Sequence, residues 1–305
     1  MTTQSTATTA RKPDTPKNAK PLSTANARRV AQTPATPGDP GNPGWDIRKQ
    51  PKALLGDRTP PTVIATIARR VLLTYALDPD AAAALLPPPF RPDLSLGPAL
   101  GGVCLLRLRA VRPALLPLRA GLTMESVAHR MSVEWDTPDG IATGVYVFRR
   151  DADSALAARL GGLHRAVFGV VEGGGRYSLA AQSRDGAMSV AFTGEQADAM
   201  PAGSVFTGPD SASAFFRCSS TAYSPAPDGA GHTALRMVTP PWRGIPVRAD
   251  HVQSSFFEDR SRFPRGTAVF DSAIAMHDVP ARWKPVRALE PGCDPGSGPG
   301  LSPAR

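Results

Sequence analysis

The sequence predicts a mainly β (α+β) domain, in which antiparallel strands form a sheet or barrel and a few short helices lie at its periphery. Three observations point there. Short apolar runs, several with strict alternation, recur through the middle of the chain. Turn signals separate them at hairpin spacing, at Pro138-Asp139-Gly140, Gly173 to Gly175 and Arg184-Asp185-Gly186. The helical stretches are too brief to cover a doubly wound sheet, and no glycine-rich phosphate loop accompanies them.

Folded sequence is expected to begin near Pro60. The run IARRVLLTYAL predicts the first strand, and DPDAAAALLPPPF predicts a short helix capped by Asp78 or Asp80 and ended by Pro87. GGVCLLRLRAV reads as a strand with Arg107 and Arg109 on one face, followed by the proline-punctuated loop PALLPLRAG. A hairpin comes next, and then DADSALAARLGG, a helix capped by Asp153 or Ser154 and stopped by Gly161 and Gly162. RAVFGVV, RYSLAAQS and AMSVAFT predict a three-stranded meander. PDSASAFFR predicts a second capped helix. TALRMV, the bend at PPWRGIP, VRADHVQSSFF and GTAVFDSAIAMHDV complete the β content.

The hairpin from MESVAHRMSVEW to ATGVYVFRRD concentrates the chemistry. Alternation places Glu125, Val127, His129, Met131, Val133 and Trp135 on its inward face, with Arg130 on the other. A carboxylate and an imidazole on one apolar face must satisfy each other, find further partners or serve a ligand. A structural ion pair closing one end of a barrel is the competing reading. Arg149 and Arg150 precede Asp151 and Asp153, so a local salt bridge competes there with ligand binding. Asp271, inside an apolar strand, is expected to pair with an arginine or to cap a backbone group.

Residues 1–58 are expected to be a disordered basic tail, because they hold almost no large apolar residue. They carry ten Lys or Arg against four Asp, which accounts for +6 of the formal net charge of +9. Residues 59–287 are read as one domain, and 288–305 as a second disordered tail rich in Gly and Pro. The folded part is therefore only mildly basic, and no aromatics interleave the tail's charges, so no specific nucleic-acid partner is expected. Cys104, Cys218 and Cys293 match no metal or redox spacing and are read as free thiols in a reducing cytoplasm. No apolar run approaches the length of a membrane span, and the amino terminus lacks a secretory pattern. No cofactor is expected. A metal site from Glu125, His129 and His164 is the weakest of the readings. His232, in a glycine-rich loop, is read as solvated.

Four stretches carry a resemblance: ALLPPPFRPD, MESVAHRMSVEW with GVYVFRRD, the Gly-Gly segment before LHRAVF, and VQSSFFEDRSRFPRGTAVFDSAIAMHDVPARW. Over roughly residues 65 to 285 the chain resembles a bacterial domain family of unknown function within the acetoacetate decarboxylase-like superfamily. The resemblance implies a cone-shaped, mostly antiparallel β barrel with an interior pocket for a small organic acid or ketone. In that superfamily the decarboxylases carry a Lys-Lys pair after a glycine-rich turn, and the first lysine forms a Schiff base. Here Gly161, Gly162, Leu163, His164 and Arg165 stand at the matching place, and Glu125 matches the acidic residue of the neighbouring strand.

That departure changes the chemistry. Imine formation needs an unprotonated amine, and imidazole supplies no iminium electron sink. The lysines are Lys12, Lys17, Lys20, Lys49, Lys52 and Lys284, so none falls between Thr59 and Trp283. Two function classes stay open. In the first, a lyase or other acid/base enzyme without a Schiff-base lysine exchanges protons through His164 and His129, with Glu125 orienting one of them. Arg149 or Arg150 would then hold a substrate carboxylate bidentately, with Arg130 and Arg165 as further candidates and Trp242, chiefly a packing anchor, as a pocket wall. In the second, the same arginines hold a small anionic metabolite and no bond changes. A homo-oligomer is compatible with either.

Overall fold

The structure, a computed structural model, describes residues 61–116, 121–226 and 231–286. Both expected tails and part of the loop after Pro113 lie outside the described residues. In chain order the elements are β1 (Val63–Leu77), α1 (Pro79–Ala83), β2 (Arg91–Pro92), β3 (Ala99–Pro113), β4 (Leu122–Thr137), β5 (Gly140–Ala152) and α2 (Ala155–Gly161). They continue as β6 (His164–Gly173), β7 (Arg176–Ser183), β8 (Ser189–Gln196), α3 (Pro209–Cys218), β9 (Thr221–Pro225), β10 (His232–Val238), β11 (Ile245–Ser254) and β12 (Ala268–Val286). Hydrogen bonding closes β5, β6, β7, β8, β11, β12, β1, β3 and β4 into a ring of nine strands, because β4 returns to β5. The mainly β expectation holds.

Local chemistry explains most boundaries. Asp78 caps α1 by accepting from the Asp80 and Ala81 N–H groups. Ser154, rather than Asp153, caps α2, and Gly162 ends it in the left-handed region at φ 63°. The central hairpin turns where Thr137 pairs with Gly140, whose φ of 127° suits glycine alone.

Three features depart from the reading of the sequence. Most pairings are antiparallel, but β5 pairs in parallel with both β6 and β9. The first of these pairs needs the crossover that α2 provides. Second, β9 was not visible as a strand, because five residues are too few to show a period. Third, SSFF leaves the strand: β11 ends at Ser254, and Phe256 and Phe257 turn into the core. Phe257 stacks on Tyr75 with ring centroids 4.2 Å apart.

The ring has two packed faces, which is why its strands read as apolar on both sides. Val71, Leu73, Val127, Met131, Trp135 and Phe192 fill the interior. On the outside, Leu72, Cys104, Met124, Phe206, Phe216 and Trp242 form a second cluster under α3. Each large side chain withdrawn from water contributes about 1.5–3 kcal/mol.

Candidate functional site

A change of register aims the first functional residue inward. Between Ile67 and Arg69 the pairing of β1 with β3 shifts by one residue. Ile67 therefore joins the outer cluster, whereas Arg69 reaches across the interior to Glu125. Two non-glycine residues in the left-handed region, Ala110 on β3 and Asp278 on β12, lie close to the same row. Cross-strand pairing then sets His277, Arg69, Arg107 and Glu125 side by side on β12, β1, β3 and β4.

Glu125 is the centre of this row. Its Oε2 accepts from Arg69 Nη2 at 2.5 Å and its Oε1 from Arg107 Nη1 at 3.2 Å. Arg69 also donates to Glu172 Oε2 at 3.3 Å from the far side of the ring. Burial pushes the Glu125 carboxyl above its ordinary range, while the Arg69 and Arg107 guanidiniums pull it down. Arg69 is 2% exposed, but the side chains of Arg107 and Glu172 are 42% and 31% exposed. The row therefore meets solvent at one end of the ring.

Beside it, the Tyr177 hydroxyl lies 2.8 Å from His277 Nε2 and receives the Gln196 side-chain N–H at 2.9 Å. With Gln196 donating, the tyrosine proton points to Nε2, which puts the histidine proton on Nδ1, 3.3 Å from the Ala68 carbonyl. Burial raises the Tyr177 phenol.

A second polar group occupies the neighbouring row. Arg149 donates to both oxygens of Asp151 at 2.9 Å, and its Nη2 also reaches both oxygens of Asp185. His164 pairs in register with Asp151, and its Nδ1 lies 3.5 Å from Asp185 Oδ2. Burial raises the Asp151 carboxyl. Burial also pushes Asp185 up, but the Ser183 hydroxyl and Arg149 outweigh it and hold that carboxyl at about 2. The salt bridge expected at a surface strand end is thus an interior one.

His129 lies deeper and is fully buried, with Nε2 3.3 Å from Ser254 Oγ and its ring against Phe256 and Phe257. Burial, then Arg149 and Arg262, lowers it to about 3, so it is a neutral imidazole. Glu125 and His129 do not meet. Four residues of strand separate them by about 13 Å, and each has its own partners.

The remaining candidates lie elsewhere. Arg130 and Arg150 project from the outer face, where Arg130 sits 4.9 Å from the Phe216 ring centroid. Arg165 pairs with Ala152, one residue out of step with His164. Trp242 is buried in the outer cluster, and its carbonyl accepts from Arg217. Asp271 caps the Val205 N–H and accepts from Ser204, as a backbone-capping carboxylate would. His232 is half-buried against Phe90 rather than solvated. A groove of about 490 Å³, lined by Ile64, Thr66, Arg112, Val238 and Arg282, lies apart from the Glu125 row. Among the described residues no cluster of His, Cys, Asp and Glu is arranged to hold a metal ion.

Arg69, Glu172, Tyr177 and His277 were not legible as site residues. The doublet Arg69-Arg70 in an apolar strand was the available signal, since at least one of two successive arginines must point to each side of a strand.

Among solved structures, the chain is similar to acetoacetate decarboxylase from Legionella pneumophila at 13% identity, covering 88% of this chain and 98% of that one, with a TM-score of 0.48. It is similar to the enduracididine biosynthesis enzyme MppR with HEPES buffer bound, at 16% identity, 84% and 98% coverage and a TM-score of 0.46. An acetoacetate decarboxylase-like enzyme from Sphingomonas wittichii matches at 11% identity, 76% and 93% coverage and a TM-score of 0.46. No curated protein matches the chain. A family model described as an uncharacterized conserved protein spans residues 65–268, from β1 to the start of β12, which includes Arg69, Arg107 and Glu125, and the chain belongs to that family, DUF2071.

Proposed function

We propose that the protein is an acid/base enzyme, of the lyase kind or related, that acts on a small organic acid or ketone without a Schiff-base lysine. The observation that carries this reading is the buried Glu125 carboxylate, held between Arg69 and Arg107 where the ring meets solvent. Arg69 is committed to two carboxylates. Arg107, half-exposed and bound to one, keeps guanidinium donors for the carboxylate of a substrate. Glu125, raised by burial, is then placed to take a proton from a substrate carbon and return it.

His164 sits beside Asp185, which orients the imidazole, and serves as the second proton carrier. His129, neutral and enclosed, is a positioning residue that acts through Ser254 and the Phe256 wall. Lys284 is exposed at the end of β12 and lacks the burial that activates a nucleophilic amine.

The test is exchange of substrate carbon-bound protons in deuterated water, followed by NMR over a panel of small ketones and keto acids. Wild-type protein is expected to accelerate exchange for at least one member, and Glu125→Gln to lower that rate about 10²- to 10⁴-fold. Arg107→Gln should raise KM more than it lowers kcat. Background exchange across the panel, with saturable binding of the same acids, would replace this reading with the second one, a non-catalytic binder of a small anionic metabolite that uses the same Arg107.

A further inference from the structure

The interior arginines are matched by carboxylates, Arg69 by Glu125 and Glu172, and Arg149 by Asp151 and Asp185. The outer face differs. Arg70 and Arg130 are each 7% exposed, and Arg150 is half-buried. None of the three forms an ion pair with a carboxylate among the described residues.

Their polar contacts are sparse. Arg70 Nε donates to Cys104 Sγ at 3.1 Å, a weak acceptor, and its buried Nη1 has no hydrogen-bond partner among the described residues. Arg130 lies over the Phe216 ring of α3, and its buried Nε is likewise unpartnered. The Arg150 side chain has no hydrogen bond among the described residues. Cys104 on β3, whose sulfur accepts from Arg70 Nε, stands between β1, which carries Arg70, and β4, which carries Arg130.

Strand pairing explains the convergence. Cys104 on β3 is opposite Ala128 on β4, which is opposite Arg150 on β5. Arg130 is opposite Gly102, and Arg70 on β1 is opposite Leu106. Small residues thus form the floor between three long cationic side chains. Burial lowers Arg130 to about 10, with Arg70 repelling it, and burial lowers Arg150 as well. Buried cations that repel one another and lack a counter-charge are costly unless an anion joins them.

We propose that Arg70, Arg130 and Arg150 form an anion site under α3, outside the strand ring and separate from the Glu125 row, for a small oxyanion of the phosphate type. The unpartnered Arg70 Nη1 and Arg130 Nε supply donors from two strands, and half-buried Arg150 forms the mouth. Free phosphate and a phosphate monoester share the recognised group. The extent to which Arg150 is open decides between them.

The experiment is thermal unfolding of the full chain in chloride buffer at constant ionic strength, with inorganic phosphate and, separately, phenyl phosphate titrated in. Phosphate is expected to raise the melting temperature saturably, by about 5 °C or more at a hundredfold excess over the dissociation constant. Arg150→Gln and Arg130→Met should each weaken the response about tenfold or more. Arg130→Met should also melt higher than wild type in chloride alone, because it removes an unmatched buried charge. Arg107→Gln should retain the full response. Stabilisation by the monoester as well would assign the mouth to esters, and stabilisation by phosphate alone would assign it to the free ion. No saturable response, an unchanged response in Arg150→Gln, or its loss in Arg107→Gln would overturn the proposal. If Arg130→Met does not fold, Arg150→Gln decides.

Discussion

Arg69 Nη2 lies 2.5 Å from Glu125 Oε2, and both side chains are at least nine-tenths withdrawn from solvent. The two residues stand 56 positions apart in sequence and are brought together across β1, β3 and β4. Breaking such a pair from one side strands the other charge in the interior. Arg69→Ala is therefore expected to cost about 3–5 kcal/mol in denaturant unfolding, whereas Arg107→Ala, on a half-exposed partner, should cost about 1 kcal/mol or less. Equal costs for the two variants would show that Arg69 is not the buried member.

His129 makes stability depend on acid. Its native pKa of about 3 lies below the ordinary histidine value near ~6.5, so on acidification the unfolded chain takes up a proton that the native chain refuses. The stabilising contribution is complete above ~6.5 and is lost as pH falls toward 3, by up to ~1.4 kcal/mol per pH unit. Glu125, whose native pKa is raised, works in the opposite sense: its contribution is present below the unfolded carboxylate range and declines above it. Comparing unfolding of wild type and His129→Gln between pH 7 and pH 4 isolates the histidine. Parallel curves would contradict a neutral buried imidazole.

Lysine chemistry offers a sharper test. No lysine lies between Thr59 and Trp283, and Lys284 is exposed. Incubation with acetoacetate and borohydride should leave the intact mass of the folded domain unmodified, and carbon dioxide release should stay at background. A stoichiometric adduct mapped to Lys284 would restore the Schiff-base route.

Asp271 ties the loop before α3 to β12 through the Val205 N–H at 2.9 Å and the Ser204 hydroxyl at 2.8 Å. Asp271→Ala leaves these donors without their acceptor and is expected to cost about 1–3 kcal/mol. Faster amide exchange at Val205 should accompany the loss, and an unchanged exchange rate would show that another group caps the loop.

Removal of residues 1–58 is expected to leave the melting temperature of the domain within about 1 °C, since that composition carries no apolar periodicity with which to dock. A drop of several degrees would make the segment part of the core.

Local chemistry made much of this protein legible in advance. Period-two alternation identified β4, the Pro138-Asp139-Gly140 turn joined it to β5, Ser154 and Gly162 delimit α2 as capping rules require, and no lysine lies between Thr59 and Trp283. Glu125 and His129 could be assigned to an interior face because alternation is a property of one strand. Their partners could not, because a partner is set by which strands adjoin and in what register. Arg69 and Ile67 are two residues apart and should share a face, yet a one-residue shift against β3 sends them to opposite sides. Ring closure alone brings Glu172 and Tyr177 up to Arg69 and His277. The sequence by itself thus determined that Glu125 and His129 face the interior. Only the tertiary structure decided which arginines are neutralised, as Arg149 is inside the ring, and which have no carboxylate partner among the described residues, as Arg130 and Arg150 on its outer face, because that balance depends on contacts across separate strands.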